Sequence, residues 1–393
     1  MDARAWLHAI HALAAEATRA APQRFRILNV CGGHERTITE AGLRSVLPSF
    51  MELIPGPGCP VCVCPEQDVY AAIQMAMRHN VLLAAFGDML RVPVNAPKSQ
   101  PRSLEQAKAA GAAVIAIASP LDAVALARAH PQRTVVFFAA GFETTMAPVA
   151  AMLAQGVPDN LLMLLSGRLT WPVVEYLLRP GDAQFDALIA PGHVSAVMGA
   201  QEWHFVAEQY HLPTAVAGFT PTGLLAGFHA VLRQWLVQRP ALENCYAEAV
   251  CDVGNPRAQF LLRQTMRVVD APWRGIGEIP ASGFALAEAY AARDARLRFS
   301  ETWDDARRHA GEMPPGCQCA DVVLGKIQPT ACKLYGTVCT PRAPVGPCMV
   351  SDEGACRIWW SGGPAHGCSP EHGRSPERGR SMGEIVQIDS MDA

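Results

Sequence analysis

The sequence has almost no excess of charge of either sign. Its 393 residues carry 33 lysines and arginines against 36 aspartates and glutamates, a formal net charge of -3 with a pI near 6.5. Without a basic field there is no electrostatic reason to expect nucleic acid or an anionic membrane as a partner. Long apolar runs are missing too. Stretches such as Val81 to Phe86 and Val135 to Ala140 fall far short of the roughly 20 residues that span a bilayer, so no membrane insertion is expected. Met1 to Ala21 interrupts its apolar residues with Asp2, Arg4, His8, His11, Glu16 and Arg19, which predicts an amphipathic helix rather than an export signal. A cytoplasmic location is the corresponding expectation. There is no Walker loop, no G-x-G-x-x-G phosphate cradle and no G-x-S-x-G nucleophile elbow.

What is present is a half-apolar, 18% charged composition, which fits a globular protein, and a length that predicts two or three domains. There are also 13 cysteines. In a chain without an export signal, clustered cysteines are more often metal-binding or catalytic than structural disulfides. Cys31, Cys59, Cys62 and Cys64 lie early, and Cys317, Cys319, Cys332, Cys339, Cys348 and Cys356 lie late. Only Cys245 and Cys251 occupy the middle, and Cys368 belongs to a C-terminal tail.

Over the first 240 or so residues, short apolar runs alternate with helical patterns, as in parallel sheets covered by helices. Strands are expected at Phe25 to Val30, Val81 to Phe86, Ala113 to Ala118, Thr134 to Ala140, Asn160 to Leu165, Ala187 to Ala190 and Thr214 to Ala217. Helices are expected at Glu66 to Arg78, Leu104 to Ala110, Leu121 to Ala129 and Thr144 to Ala154, with Ser103 as an N-cap and Pro65 in a first turn. The fold class is therefore α/β: two similar domains with parallel sheets flanked by helices, followed by a mainly helical and loop-rich C-terminal domain. The expected divisions are 1–118, 119–238, 239–361 and a flexible tail at 362–393. The pattern from Ala241 to Ala295 reads as helical. Because ligand-binding groups on open α/β sheets gather beyond the carboxyl ends of strands, Cys31, Asp88, Glu143 and His193 are expected to face one cleft.

The late segment places six cysteines between Cys317 and Cys356, among glycines and prolines that let a loop wrap its sulfurs around one centre. Spacing alone leaves an iron–sulfur cluster and zinc both open, although the paired C-x-x-C knuckles of zinc ribbons are absent. The early Cys59-Pro60-Val61-Cys62 stands ahead of a predicted helix, a position that favours thiolate and thiol–disulfide exchange. Incidental core cysteines or zinc ligands lacking partners are the bland alternative. Cys31 ends a strand before Gly32 and Gly33, and His34 three residues on suits a base, a supporting donor or a ligand. Glu143 could work in the site or merely cap a helix near Thr144. His193 could do the same or pair with backbone.

Taken together, C-G-G-H at Cys31, G-P-G-C-P-V-C from Gly56 to Cys62, G-F-E-T-T at Gly141 and P-G-H-V-S at Pro191 resemble the HypD family of nickel–iron hydrogenase maturation factors. The T-P-x-x-P-x-G-P-C-M-V-S-x-E-G-A-C run from Thr340 to Cys356 agrees, and the likeness extends from about Leu28 to Trp360. The resemblance implies a scaffold and redox protein that assembles the Fe(CN)2CO moiety with the small chaperone HypC and the cyanide donor HypE, for delivery to the hydrogenase large subunit. It implies that Cys31 holds the transient iron with its cyanide and carbon monoxide, supported by His34, and that Cys59 and Cys62 form the thiol–disulfide pair. It further implies that Cys317, Cys332, Cys339 and Cys356 bind a 4Fe-4S cluster, leaving Cys319 and Cys348 as neighbours. Glu143 and His193 would line the cleft.

The chain departs from the family wording at Leu165 to Trp171, at Gly218-Phe219-Thr220-Pro221, where an expected acid is missing, and at Cys64, a third early thiol. Two rival functions share most of these residues. One is an iron–sulfur thiol–disulfide oxidoreductase that reduces a protein disulfide without iron at Cys31. The other is a zinc-stapled interaction protein.

Overall fold

The structure is a computed structural model that describes residues 1–20, 24–179, 184–308 and 313–363. From residue 364 onward the tail expected to be flexible lies outside the described residues. The strands are β1 (Phe25–Asn29), β2 (Met51–Pro55), β3 (Val81–Phe86), β4 (Val114–Ile117), β5 (Thr134–Gly141), β6 (Leu161–Arg168), β7 (Ala187–Pro191), β8 (Thr214–Ala217), β9 (Leu242–Asn244), β10 (Met266–Trp273) and β11 (Gly277–Leu286). One sheet runs β2-β1-β7-β8-β9 and is parallel throughout. The other runs β10-β11-β6-β5-β3-β4, parallel from β6 to β4 and antiparallel at the β10-β11-β6 edge.

The α/β expectation holds, and its cause is visible in β5. Val136, Phe138 and Ala140 enter the core on one face, while Val135, Phe137 and Ala139 enter the core on the other. A strand covered by helices on both sides must be apolar at every position, and this run is. Ser103 caps its helix by accepting from the Gln106 amide at 3.1 Å. Pro65 sits one position earlier than expected, as the N-cap of the helix Glu66–Arg78.

The strands are shared between the sheets differently from a division at residue 118. β3 and β4 share a sheet with β5 and β6, whereas β1 pairs with β2 on one side and, across more than 150 intervening residues, with β7 on the other. Apolar runs report that a strand exists and carry no record of which neighbour it takes. The helical reading of Ala241 to Ala295 also needs correction. The helix Pro256–Thr265 is followed by the antiparallel hairpin β10–β11. β11 closes the open edge of β6 by pairing Gly283 with Arg168 and Phe284 with Gly167, and Pro272, Pro280 and Gly283 within the hairpin themselves disfavour a helix.

The cysteine-rich segment 313–363 consists of short turns and ends in the helix Ala355–Gly362. It is tied to both sheets at their carboxyl ends. Asp88, just beyond β3, accepts from the Ser351 hydroxyl and the Asp352 amide, each at 3.1 Å. Glu353 lies against Gly32, just beyond β1, where an added Cβ would stand 2.5 Å from the Glu353 side chain.

Candidate functional site

Cys31 follows β1 with extended backbone and occupies the N-cap position of the helix Gly32–Glu40. Three chain segments press together around it. A Cβ on Gly58 would lie 2.3 Å from the Cys31 amide nitrogen, and one on Gly56 would lie 2.9 Å from the Asn29 carbonyl. Only glycine permits that approach. The result is a narrow cleft whose walls include Asn29, Cys31, Glu35, Cys59, Cys62, Cys348 and Glu353. Cys31, the early cysteine pair and one late cysteine thus share one space.

Burial pushes the Cys31 thiol up to about 12, with the Glu353 carboxylate adding to the rise and the amides of His34 and Gly33 opposing it. Without a cation the sulfur keeps its proton at neutral pH. Cys59 and Cys62 are joined as a disulfide, with their Cα atoms 5.3 Å apart. They bracket a single helical turn of their own, Pro60–Val63, in which the Cys62 amide donates to the Cys59 sulfur at 3.1 Å. Cys64 points elsewhere. Its sulfur lies 3.4 Å from Ser166, which donates to Asp68 at 2.6 Å, and burial with the nearby Asp68 charge pushes the thiol up to about 12.

His34 is wholly buried. Nε2 lies 3.0 Å from the Ala217 carbonyl and Nδ1 3.1 Å from Asn29 Oδ1, the single N–H of the neutral ring going to one of these oxygens, and burial holds the pKa down to about 3. Both nitrogens are engaged, so the ring braces the loop carrying Cys31 rather than offering a free ligand. Phe219, from the unexpected G-F-T-P stretch, lies between the two histidines, with its ring centre 4.7 Å from that of His34 and stacked at 3.6 Å on His193. His193 is exposed, and partial burial of its ring lowers its pKa.

Glu143 is fully buried and begins the helix Glu143–Ala154 rather than capping it. Its Oε1 accepts from the Thr170 amide at 2.7 Å and the Thr170 hydroxyl at 3.1 Å, so it satisfies the start of the next helix, Thr170–Leu178. Burial raises its pKa to about 7 against the pull of those bonds. The expectation that Asp88, Glu143 and His193 would join Cys31 in one cleft is not met. Asp88 ties down residues 351 and 352, Glu143 holds Thr170, and neither they nor His193 line the walls around Cys31.

In the late segment the sulfurs of Cys319, Cys348 and Cys356 lie within 4.8 Å of one another, all buried, in a group that could hold a metal. The Cys317 sulfur is 3.3 Å from that of Cys319, and an added Cβ on Gly346 would strike both, at 2.4 and 2.5 Å. Thiol hydrogen bonds from Cys319 and Cys356 pull Cys348 below its ordinary value, and Cys356, lending its proton, is raised. Cys339 is buried nearby, its sulfur accepting from the Val345 amide at 3.4 Å. Cys332 is buried but is not part of the tight group. The donors are all thiols, which suits iron–sulfur or zinc chemistry and not a hard cation.

Sequence reasoning passed over Glu35, Asn29 and Phe219. Glu35 is 2% exposed, accepts from both Arg44 at 2.6 Å and the Trp359 indole at 2.5 Å, and so joins the helix after Cys31 to the last helix. Its one signal in the sequence was an acid two residues after Gly33 with a potential arginine partner at Arg44. Phe219 had a signal only in its departure from the family wording.

The HypD family, described as "Hydrogenase formation hypA family", matches residues 3–363. The chain is 41% identical over 367 residues to the hydrogenase maturation factor HypD of Rhodobacter capsulatus, covering 92% of this chain and 96% of that protein. To HypD2 of Bradyrhizobium diazoefficiens it is 38% identical over 362 residues, 90% and 92% of the two chains. To HypD of Escherichia coli K12 it is 39% identical over 348 residues, 86% and 90% of the two. With the glycine-walled Cys31 cleft, the C-x-x-C pair and the buried late thiols in place, the chain belongs to the HypD family of hydrogenase maturation factors.

Proposed function

We propose that this protein is a scaffold on which the Fe(CN)2CO moiety of a nickel–iron hydrogenase is assembled, working with a HypC-type chaperone and a HypE-type cyanide donor in the cytoplasm. The observation carrying this reading is the shared cleft of Cys31, Cys59 and Cys62. Iron is the cargo, and Cys31 would hold it. Binding must displace the thiol proton, which burial otherwise retains, so the site favours a soft cation over an empty thiolate. The resemblance implies that the second thiolate would come from the chaperone, and Cys31 is free to share the iron because it stands outside the Cys59–Cys62 disulfide.

Cys59 and Cys62 would cycle between disulfide and dithiol, taking up two electrons and two protons per reduction. The late cysteines would hold a 4Fe-4S cluster, with Cys317, Cys332, Cys339 and Cys356 as ligands. A cluster of this kind supplies or accepts single electrons. Each ligand sulfur of a four-iron cluster sits on its own iron, whereas sulfurs sharing one tetrahedral ion at about 2.3 Å stand only about 3.8 Å apart. The tight spacing of Cys319, Cys348 and Cys356 suits at most one cluster corner among the three, and the resemblance gives that corner to Cys356.

The test is the infrared spectrum and metal content of anaerobic protein co-expressed with the chaperone. Cyanide and carbonyl stretches are expected in the wild type and absent in Cys31→Ala. A cluster without those stretches in the wild type would leave the thiol–disulfide oxidoreductase, which the observed Cys59–Cys62 disulfide also favours. Stoichiometric zinc in place of iron would end both redox readings.

A further inference from the structure

A groove on the surface of the cysteine-rich segment has an uncommon make-up for a chain of net charge -3. Its walls carry Arg91, Arg102 and Arg342 against one acid, Glu105, a local balance of +2. Arg102 and Arg342 are exposed, and among the described residues no salt bridge engages any of the three guanidiniums. Between them the groove mixes Asn95, Ser103 and Gln106 with prolines and with Val338, which is 62% exposed. It is open, enclosing about 1170 Å³ with the solvent in its mouth, and so presents a surface rather than a closed ligand site.

Its floor is thin. Val338 and Val345 both line the groove, Val338 directly precedes Cys339, and the Val345 amide donates to the Cys339 sulfur at 3.4 Å. A late thiol therefore lies one residue beneath an exposed valine within a positive rim. Transient electron-transfer encounters are small, are steered by opposite charge, and need the two centres close without deep interlocking.

We propose that this groove is the electron-entry surface of the protein, and that its partner is a small acidic one-electron donor protein that docks with its negative face on Arg102, Arg342 and Arg91. The proposal rests on the reading that the late thiols hold an iron–sulfur cluster. In each encounter one electron leaves the donor and enters that cluster. No bond forms or breaks, and two encounters supply the electrons for one disulfide reduction.

The test uses anaerobically prepared full-length protein and a prereduced plant-type [2Fe-2S] ferredoxin, whose surface is acidic, as probe. Binding is followed by calorimetry and cluster reduction by stopped-flow absorbance. Binding and the second-order rate are expected to fall steeply between low and high salt. The double variant Arg102→Glu with Arg342→Glu is expected to lose about tenfold or more in both at low salt. Its reduction by dithionite should be unchanged, which shows an intact cluster. Equal binding and equal rate in the double variant overturn the docking surface and leave the cluster untouched. Absence of iron and sulfide from the wild type overturns the cluster reading separately, and the effect of charge reversal on binding then decides whether the acidic partner stands.

Discussion

At the scale of single residues, the cleft depends on missing side chains as much as on thiols. Gly58→Ala would set a methyl group 2.3 Å from the Cys31 amide nitrogen, so the loop carrying Cys59 must retreat. The expected cost is about 2 kcal/mol of stability. The approach of the C-x-x-C to Cys31 should be lost as well, seen as a lower melting temperature and faster reduction of the Cys59–Cys62 disulfide by external thiol. An unchanged reduction rate would show that the glycine does not set the approach. Glu143 makes a second prediction. Its folded pKa, about 7, lies above the ordinary 4.5, so the native state holds a proton that the unfolded chain has released. That stabilisation is complete at low pH and disappears as pH rises from about 4.5 to about 7, a loss of up to about 3 kcal/mol. Glu143→Gln should match the wild type near pH 5 and exceed it above pH 7. Parallel denaturation curves across that range would refute the assignment.

At the scale of elements, a buried ionic knot joins the helix Glu66–Arg78, β6 and the short helix Ala295–Arg298. Asp68, 1% exposed, accepts from Ser166 at 2.6 Å and Arg296 at 3.2 Å and lies 3.7 Å from Arg168, itself 4% exposed. Removing the acid leaves a buried guanidinium uncompensated. Asp68→Ala should therefore cost about 3 kcal/mol in urea unfolding, and a loss below about 1 kcal/mol would mean that water reaches Arg168. Elements were also where reading the sequence met its limit. Val81–Phe86 and Thr214–Ala217 were legible as strands because they are uninterrupted apolar runs. β2, Met-Glu-Leu-Ile-Pro, was hidden by its glutamate and proline, whereas β10–β11 carried legible signals against a helix in Pro272, Gly277, Pro280 and Gly283. Of the site, the cysteines were legible from their spacing. Glu35 and Asn29 were not: Glu35 draws its role from Trp359, far along the chain, and Asn29 from the local fold that brings its amide to Cys31 and His34.

At the scale of the whole molecule, the cysteine-rich segment has little regular structure and is tied down by side chains such as Arg91, which donates to the Pro341 carbonyl at 2.5 Å, and by its buried thiols. If a cluster staples it, extracting the metal anaerobically should expose residues 313–350 to limited proteolysis while the two sheets stay resistant. Uniform resistance would show that thiol packing alone suffices. Ligand choice is tested in the same preparations. Cys332→Ser should lose iron and Cys348→Ser retain it, and the reverse pattern would assign the tight group as the ligand set.

The sequence by itself determined that the core is α/β, that nothing among the described residues is long and apolar enough to cross a membrane as a helix, and that sulfur chemistry gathers at two ends of the chain. Local periodicity and side-chain chemistry carry that information. Only the tertiary structure decided that β1 pairs with β7, that Asp88 and Glu143 serve as struts, and that Cys31, Cys59, Cys62 and Cys348 meet in one cleft. Those outcomes depend on strand order and on backbones that approach where Gly32, Gly56 and Gly58 leave room, and neither is written in any local stretch of residues.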